Sequence, residues 1–414
     1  MIASIITIGD ELLIGQVVNT NATYIAEALN KISVTVKNIL TVGDTQEDIL
    51  QAFIKQFSEN DIIISTGGLG PTHDDITKKT ICKFFITELV KNEDVKANVE
   101  RILALRNMKW TSAADEQTYV PDGCKIIPNK HGTAPGMLFE RDNKFFIALP
   151  GIPYEMKQMI DEFVLPLFSN FNNGRIILHR TLRTTGIAEA FLSELIGDID
   201  ELTKVASLAF LPSPTGVSLR ISATSDSYKN VREAIAEVEN KIRSKANDYI
   251  YGTDDETIEQ VLGKLLSERN LTIAVAESCT GGLIANRITN VPGSSKYFER
   301  GIVTYSNRSK TDLLGVPENL IIKHGAVSEE VAKAMAAGIR EISKTDIGIS
   351  TTGIAGPTGA TPDKPLGLVW IGYADLKNLI TKKFLFGDDR VRVKIRSSQA
   401  AMELIRRIIL KIQI

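Results

Sequence analysis

The sequence predicts an α/β protein built on parallel sheets, and three observations carry that expectation. Strand-like runs that end in glycine alternate with amphipathic helical stretches from residue 1 onward. The alternation stops near residue 170 and resumes beyond residue 252, with a differently patterned segment between. The chain has 414 residues, enough for two or three domains that each bury a core of their own.

IASIITIG reads as the first strand, and TNATYIAEALNKI carries Ile25, Ala28, Leu29 and Ile32 at helical spacing. VTVKNILTV is again strand-like, QEDILQAFIKQF helical, and DIIISTGG a buried strand that closes on a glycine turn. KFFIALPG and the helix PYEMKQMIDEFVLPLF end this pattern, which gives a first domain over 1–170. The Asn-rich stretch SNFNNGR is a turn-forming boundary. Residues 171–252 mix strands with the helix NVREAIAEVENKIRSKA, whose Val231, Ile235, Val238 and Ile242 form one apolar stripe, so a small α+β domain is expected. A third domain spans 253–414, with the strand LTIAVA before ESCTGG, then GIVTYSN, the strand TDIGISTTGIAGP, a strand pair and a closing helix. Such alternation places functional sites at the carboxyl ends of the strands.

Composition removes several function classes. With 48 Lys+Arg against 50 Asp+Glu the net charge is −2, so the chain is no polyelectrolyte, a DNA-coating role is disfavoured and no direct nucleic-acid contact is expected. No apolar run reaches the ~18–20 residues of a membrane span. The N-terminus meets Asp10 and Glu11 without a basic leader segment, so no signal peptide is read and a cytoplasmic location is expected. Three scattered cysteines and four histidines argue against a disulfide framework and a zinc-finger site.

Two glycine turns in the first domain carry acids: ITIGDELLIGQ with Asp10 and Glu11, and STGGLGPTHDD with Asp74 and Asp75, while Asp44 follows a third strand. Backbone amides freed by glycine cradle phosphate, and carboxylates hold a hard cation against it. Acids that simply open the helix after Asp75 fit the residues equally well. GDELLIGQVVNTNATYIAEAL, STGGLGPTHDDIT and LPGIPYEMKQM resemble the N-terminal half of the CinA (competence/damage-inducible protein A) family. That half is similar to molybdopterin-binding domains, whose glycine-rich stretch corresponds to Gly67–Thr77. The resemblance implies metal-dependent hydrolysis of ADP-ribose to AMP and ribose 5-phosphate, with a divalent cation (Mg, Mn or Co). It also implies Asp10, Glu11, Asp74, Asp75 and Glu189 as metal candidates and Gly68 and Gly70 as substrate contacts. At Asp74 the sequence departs from the molybdopterin enzymes, which commonly carry a base there. An acid beside an anionic ligand argues for an intervening cation.

In the third domain AVAESCTGGLIANRIT combines strand, short turn and helix start, a place where a nucleophile gains backbone N–H donors. A Ser/Thr cap followed by packing glycines accounts for the same residues. VTYSNRSK and STTGIAGPTG bring Tyr305, Lys310, Thr352 and Gly353 to two further strand ends. A serine there needs a base. His324 follows no strand; a lysine can replace it if its pKa falls from ~10.4 to ~7–8, while a solvated surface charge accounts for any single lysine as well. Cys279 is read as buried and inert.

AESCTGG, GIVTYSN, HGAVSEEVA, TGIAGP and FGDDR resemble the CinA C-terminal domain, also found as free-standing PncC enzymes. The resemblance implies a nicotinamide-nucleotide amidohydrolase that converts NMN to nicotinate mononucleotide and ammonia without a cofactor, and a homodimer. It implies Ser278 as nucleophile, Lys310 as base and Tyr305 as a residue that relays or positions the proton. Backbone amides around Thr280, Gly281 and Gly282 would stabilise the oxyanion, and Thr352 and Gly353 would line the pocket. The run from Thr381 holds nine bases against three acids, most of them read as a solvated helix face, and the resemblance implies Arg392, in the family's arginine-bearing stretch after GD, as the candidate for the substrate phosphate. Two other readings are a competence or DNA-recombination accessory protein and a molybdopterin-binding module.

Overall fold

The computed structural model describes residues 1–70, 75–169 and 176–413. The chain divides into two compact units, residues 1–178 with 224–231 and residues 179–223 with 232–414.

The first unit contains β1 (Ile2–Ile8), β2 (Thr35–Val42), β3 (Ile62–Thr66), a short antiparallel pair β4 (Leu89–Lys91) and β5 (Tyr119–Pro121), then β6 (Lys125–Ile127), β7 (Gly136–Arg141) and β8 (Lys144–Leu149). Its main sheet runs β2-β1-β3-β8-β7-β6. The first four strands in that order are parallel, and β7 and β6 are antiparallel. Successive side chains of a strand face opposite sides, so apolar residues on both faces of β1 feed two cores. Ala3 and Ile5 pack with Ile25, Ala28 and Leu29 of the helix Thr20–Lys31. Ile6 and Ile8 pack with Ile49, Ala52 and Phe53 of the helix Gln46–Glu59. Both helices start on side-chain caps, Asn19 accepting from the amide of Ala22 and Thr45 from that of Asp48.

β9 (Ile176–Thr184), β10 (Ser207–Ser213), β11 (Gly216–Ser225) and β12 (Ile250–Thr253) form a four-stranded sheet in the order β10-β11-β9-β12. The helix Tyr228–Ala246 buries the stripe Val231, Ile235, Val238 and Ile242. The second unit continues with β13 (Ile273–Glu277), β14 (Phe298–Val303), β15 (Ile347–Gly353), β16 (Leu368–Ala374) and β17 (Leu379–Leu385). This sheet runs β14-β13-β15-β16-β17. β13, β14 and β15 are parallel, while β16 and β17 return antiparallel, so the sheet is mixed. In each unit the first parallel strand lies between the second and third. That order opens a crevice at the carboxyl ends, between the first and third strands. Among the described residues no helix is long and apolar enough to cross a membrane.

Candidate active site

β13 ends at Glu277, and the next residue, Ser278, donates its amide to the carbonyl of Thr351 on β15 at 3.0 Å. Ser278 therefore stands in the crevice between the first and third parallel strands. The chain then turns through Gly281 (φ +60°) and Gly282 (φ +91°), left-handed values that favour glycine. The helix Leu283–Thr289 follows. Its exposed amides are capped from behind by the buried Glu277 carboxylate, which accepts from Gly282 (2.9 Å), Ile284 (3.2 Å) and Ala285 (2.9 Å). The amide of Gly281 donates to the carbonyl of Ser278 at 3.2 Å. This corrects the expectation that amides of Gly281 and Gly282 are available to an oxyanion, because both already have acceptors. Thr280 faces inward, fully buried, with its hydroxyl 2.7 Å from that of Thr351.

Lys310 lies in the helix Asn307–Leu314, which begins on a Ser306–Ser309 capping box. The side chain is 1 % exposed. Its ammonium donates to Ser278 Oγ at 3.1 Å and to the Thr304 carbonyl at 2.7 Å. Burial pushes the Lys310 pKa down to about 8, since the charged form loses its hydration. No carboxylate ion pair involves it among the described residues. The same burial pushes the Cys279 thiol up to about 12.

A cavity of about 210 Å³ opens on this pair, with Ser278, Lys310, Tyr305, Thr352, Gly353 and Arg390 in its wall. Cys279, Ala326, Val327 and Ala355 complete it. Thr352 is held by a hydrogen bond to the Ala326 carbonyl at 2.7 Å. Tyr305 reaches the cavity, but its hydroxyl accepts from Arg390 at 3.0 Å and bonds neither Ser278 nor Lys310. Arg390 also donates to the Gly356 carbonyl at 2.8 Å. Arg390, and not Arg392, is the arginine of the wall. His324 lies elsewhere, its ring 3.2 Å from Glu330.

In the first unit, Gly67 (φ +116°) and Gly68 (φ +64°) form the turn after β3. The Thr77 amide donates to the Gly68 carbonyl at 3.2 Å and its hydroxyl to that of Gly67 at 3.2 Å. A Cβ on Gly70 would run into the Asp75 carboxylate, so that acid lies over the loop. Asp10 and Asp44 brace each other across two strand ends. The Asp10 amide donates to Asp44 at 2.9 Å and the Asp44 amide to Asp10 at 3.2 Å. Glu11 folds over Gly9 instead. Asp74 lies outside the described residues. Glu189 belongs to the second unit, in the wall of another cavity there. Among the described residues no three His, Cys, Asp or Glu side chains stand together as a metal site. Within the first unit, Asp10, Glu11 and Asp75 accordingly form no such group by themselves.

Residues 4–170 match the family described as probable molybdopterin binding domain, 179–252 the damage-inducible protein CinA KH domain, and 255–409 the CinA C-terminal domain. A CinA-like protein of Chloroherpeton thalassium is 45 % identical over 418 residues, covering 99 % of each chain. The chain belongs to the CinA family. A second CinA-like protein, from Cytophaga hutchinsonii, is 40 % identical and covers 98 % of this chain and 97 % of its own. The crystal structure of competence/damage inducible protein CihA from Agrobacterium tumefaciens is 34 % identical, covering 36 % of this chain and 95 % of that one, with a TM-score of 0.35.

Within this CinA-family chain, sequence reasoning passes over Glu277, Ala326, Val327, Arg390 and Asn21. Glu277 stands in the AESCTGG stretch, and its signal is an acid directly before a glycine turn into a helix. Arg390 is the residue after the GDD triplet, two positions from Arg392. Asn21 donates to Thr66 Oγ1 (3.2 Å) and the Gly151 carbonyl (2.7 Å), leaving a buried carboxamide oxygen without a partner among the described residues.

Proposed function

We propose that the second unit hydrolyses NMN to nicotinate mononucleotide and ammonia through a serine–lysine pair. The observation that carries this reading is the 3.1 Å contact between the buried Lys310 Nζ and Ser278 Oγ. A neutral Lys310 still donates to the Thr304 carbonyl while its lone pair accepts the Ser278 proton. Ser278 Oγ attacks the carboxamide carbon, and the carbonyl oxygen becomes an oxyanion. The amides of Cys279 and Thr280 donate to no backbone carbonyl among the described residues and lie against the Cys279 sulfur, a weak acceptor that an oxyanion can displace; the residue after a nucleophile is a recurrent oxyanion donor. Lys310 returns the proton to the leaving nitrogen, ammonia departs, and an acyl-serine remains. Water, deprotonated by the same lysine, attacks the acyl carbon, and its cleavage restores Ser278 and releases the acid. The cavity of about 210 Å³ is smaller than the ~300–1,000 Å³ of pockets that enclose whole ligands. It accepts the carboxamide ring, and the sugar phosphate extends toward Arg390. That guanidinium, positioned by Tyr305, takes the phosphate role first expected of Arg392. The test is purified protein with NMN, assayed for ammonia and nicotinate mononucleotide; equimolar release of both is expected, and no release overturns the reading.

For the first unit we propose the hydrolysis of ADP-ribose to AMP and ribose 5-phosphate. The glycine turn at the crevice offers backbone amides to a diphosphate, the Asp10–Asp44 carboxylates suit the cation that accompanies it, and the unpartnered Asn21 oxygen suits a sugar hydroxyl. A divalent cation often binds through one or two carboxylates plus substrate phosphates, without a complete protein cage. We therefore propose that it enters with the diphosphate, and no protein ligand set is assigned to it. A nucleic-acid role is disfavoured, since KH domains clamp the backbone with a G-x-x-G loop and residues 179–252 contain none.

A further inference from the structure

We propose that a second cavity in the second unit binds a nucleoside monophosphate, at a site separate from Ser278. This cavity measures about 860 Å³ and shares no wall residue with the Ser278 cavity. Its size lies in the ~300–1,000 Å³ range of small-molecule sites.

One wall is aromatic, two phenyl rings stacked on each other. Phe384 and Phe386, two residues apart on an extended stretch, present rings 5.1 Å apart and only 11° from parallel. Such a face suits a planar heterocycle and tolerates any base. The opposite chemistry comes from the helix Arg390–Leu410, where Arg396 and Gln399, three positions apart, share a face. The Arg396 guanidinium donates to the Phe386 carbonyl at 3.1 Å and has no ion-pair partner among the described residues.

Gln399 is the observation that points to a ligand. It is 4 % exposed, and its Oε1 accepts from Arg287 at 2.9 Å. Arg287 is itself fixed by Glu259 and Ser398, each at 2.8 Å, so the carboxamide cannot flip without setting its NH₂ group against a guanidinium. Its Nε2 is therefore left as a buried donor with no partner among the described residues. A buried donor without an acceptor is destabilising, and an anionic oxygen beside Arg396 would satisfy it.

The acids of the wall do not cancel this. Glu403 is already paired with Arg406 and Arg407, both at 2.7 Å. Asp248 is fixed in the wall through its backbone carbonyl, which accepts from Arg406 at 2.6 Å, and its carboxylate is a charge that Arg396 and the ligand phosphate meet alongside Arg407. Glu189, exposed at the first turn of the helix Glu189–Ile196, offers an acceptor to sugar hydroxyls. Base on the phenyl pair, phosphate on Arg396 and the Gln399 amide, sugar toward Glu189: these are the parts of a nucleoside monophosphate.

The experiment is calorimetric titration of the full chain with AMP, adenosine and inorganic phosphate, repeated with Gln399→Glu and Arg396→Gln. Gln399→Glu keeps the acceptor for Arg287, preserving the packing, and replaces the donor with a carboxylate. AMP is expected to bind at least ~10-fold more tightly than adenosine or phosphate, and each variant to weaken it by at least ~10-fold, as befits a charge-assisted contact. Ammonia release from NMN should be unchanged in both variants, since neither residue touches the Ser278 cavity. Because AMP is also the product proposed for the first unit, the wild type should show two AMP sites per chain and each variant one at the same concentrations; an AMP stoichiometry unchanged by both substitutions would overturn the proposal. Phosphate binding as tight as AMP would remove the role of the aromatic wall and overturn it too.

Discussion

The two units share a strand order and differ in what that order exposes. In both, the first parallel strand lies between the second and third, and the next residues form a glycine-bearing turn at the crevice. At the first rim the acids Asp10 and Glu11 are solvent-exposed, braced by backbone amides and glycine turns. At the second, a serine and a lysine are withdrawn from water until the lysine loses much of its preference for charge. Topology thus sets where a site stands, and burial sets its chemistry. Exposed carboxylates suit a ligand that brings its own cation; a buried amine beside a hydroxyl suits proton transfer.

The sharpest way to break this comparison is Ser278→Ala. Removing the oxygen that is placed to form the acyl intermediate should lower ammonia release from NMN by at least ~10³-fold, as deletion of catalytic serines does elsewhere. ADP-ribose hydrolysis should be unchanged. Intact ammonia release from the variant would end the serine–lysine mechanism.

Lys310→Met should cost about 10²–10⁴-fold, the usual contribution of a positioned base. In the wild type, kcat/KM for NMN should fall about tenfold per pH unit below about 8, because only the neutral amine accepts a proton. Stability carries the matching signature. The folded pKa lies below the unfolded value of ~10.4, so between about 8 and ~10.4 the unfolded chain binds more protons and stability rises with pH. Denaturant titrations of wild type and Lys310→Met from about pH 7.5 to about pH 9.5 should show the variant's relative advantage shrinking as pH rises. A pH-independent difference would mean that Lys310 is not buried as a charge.

Chelation separates the rims from the other side. EDTA should abolish AMP release from ADP-ribose and leave ammonia release from NMN unchanged. Calorimetry with Mg²⁺ should show binding only when ADP-ribose is present, if the cation arrives with the diphosphate. Tight Mg²⁺ binding to the protein alone would require a preformed cage and contradict that arrangement.

How much of the site is legible in the residues follows from geometry. Strand–turn–helix alternation places Ser278, Tyr305, Lys310 and Thr352 near strand ends, and the resemblance to the CinA C-terminal domain is what singles them out there. Rotation about a helix is harder to read. At 3.6 residues per turn, Arg390 and Arg392 differ by about 200°, and only the packing of the closing helix decides which one enters the wall. The Glu277 cap is hidden for a related reason. A carboxylate that folds back onto amides five to eight residues ahead depends on the turn's shape, and the turn's shape depends on two left-handed glycines. The Gln399 donor is out of reach entirely, since it depends on Arg287, more than a hundred positions away.

The smallest expected effect tests the finest part of the comparison, the choice between neighbouring nucleophiles. Cys279 lies next to Ser278 and in the same cavity wall, and a thiol is intrinsically the better nucleophile once ionised. Burial denies it that ionisation by pushing its pKa up to about 12, and the side chain packs into the core with Val275 and Ile284. Cys279→Ala leaves the backbone amide in place, so the proposed oxyanion donor survives the substitution. Ammonia release should therefore stay within about threefold of wild type, with a stability loss on the order of 1 kcal/mol from the lost packing. Iodoacetamide should inactivate the wild type slowly or not at all. Rapid stoichiometric inactivation that disappears in Cys279→Ala would move the nucleophile by one residue and leave Lys310 serving a thiol.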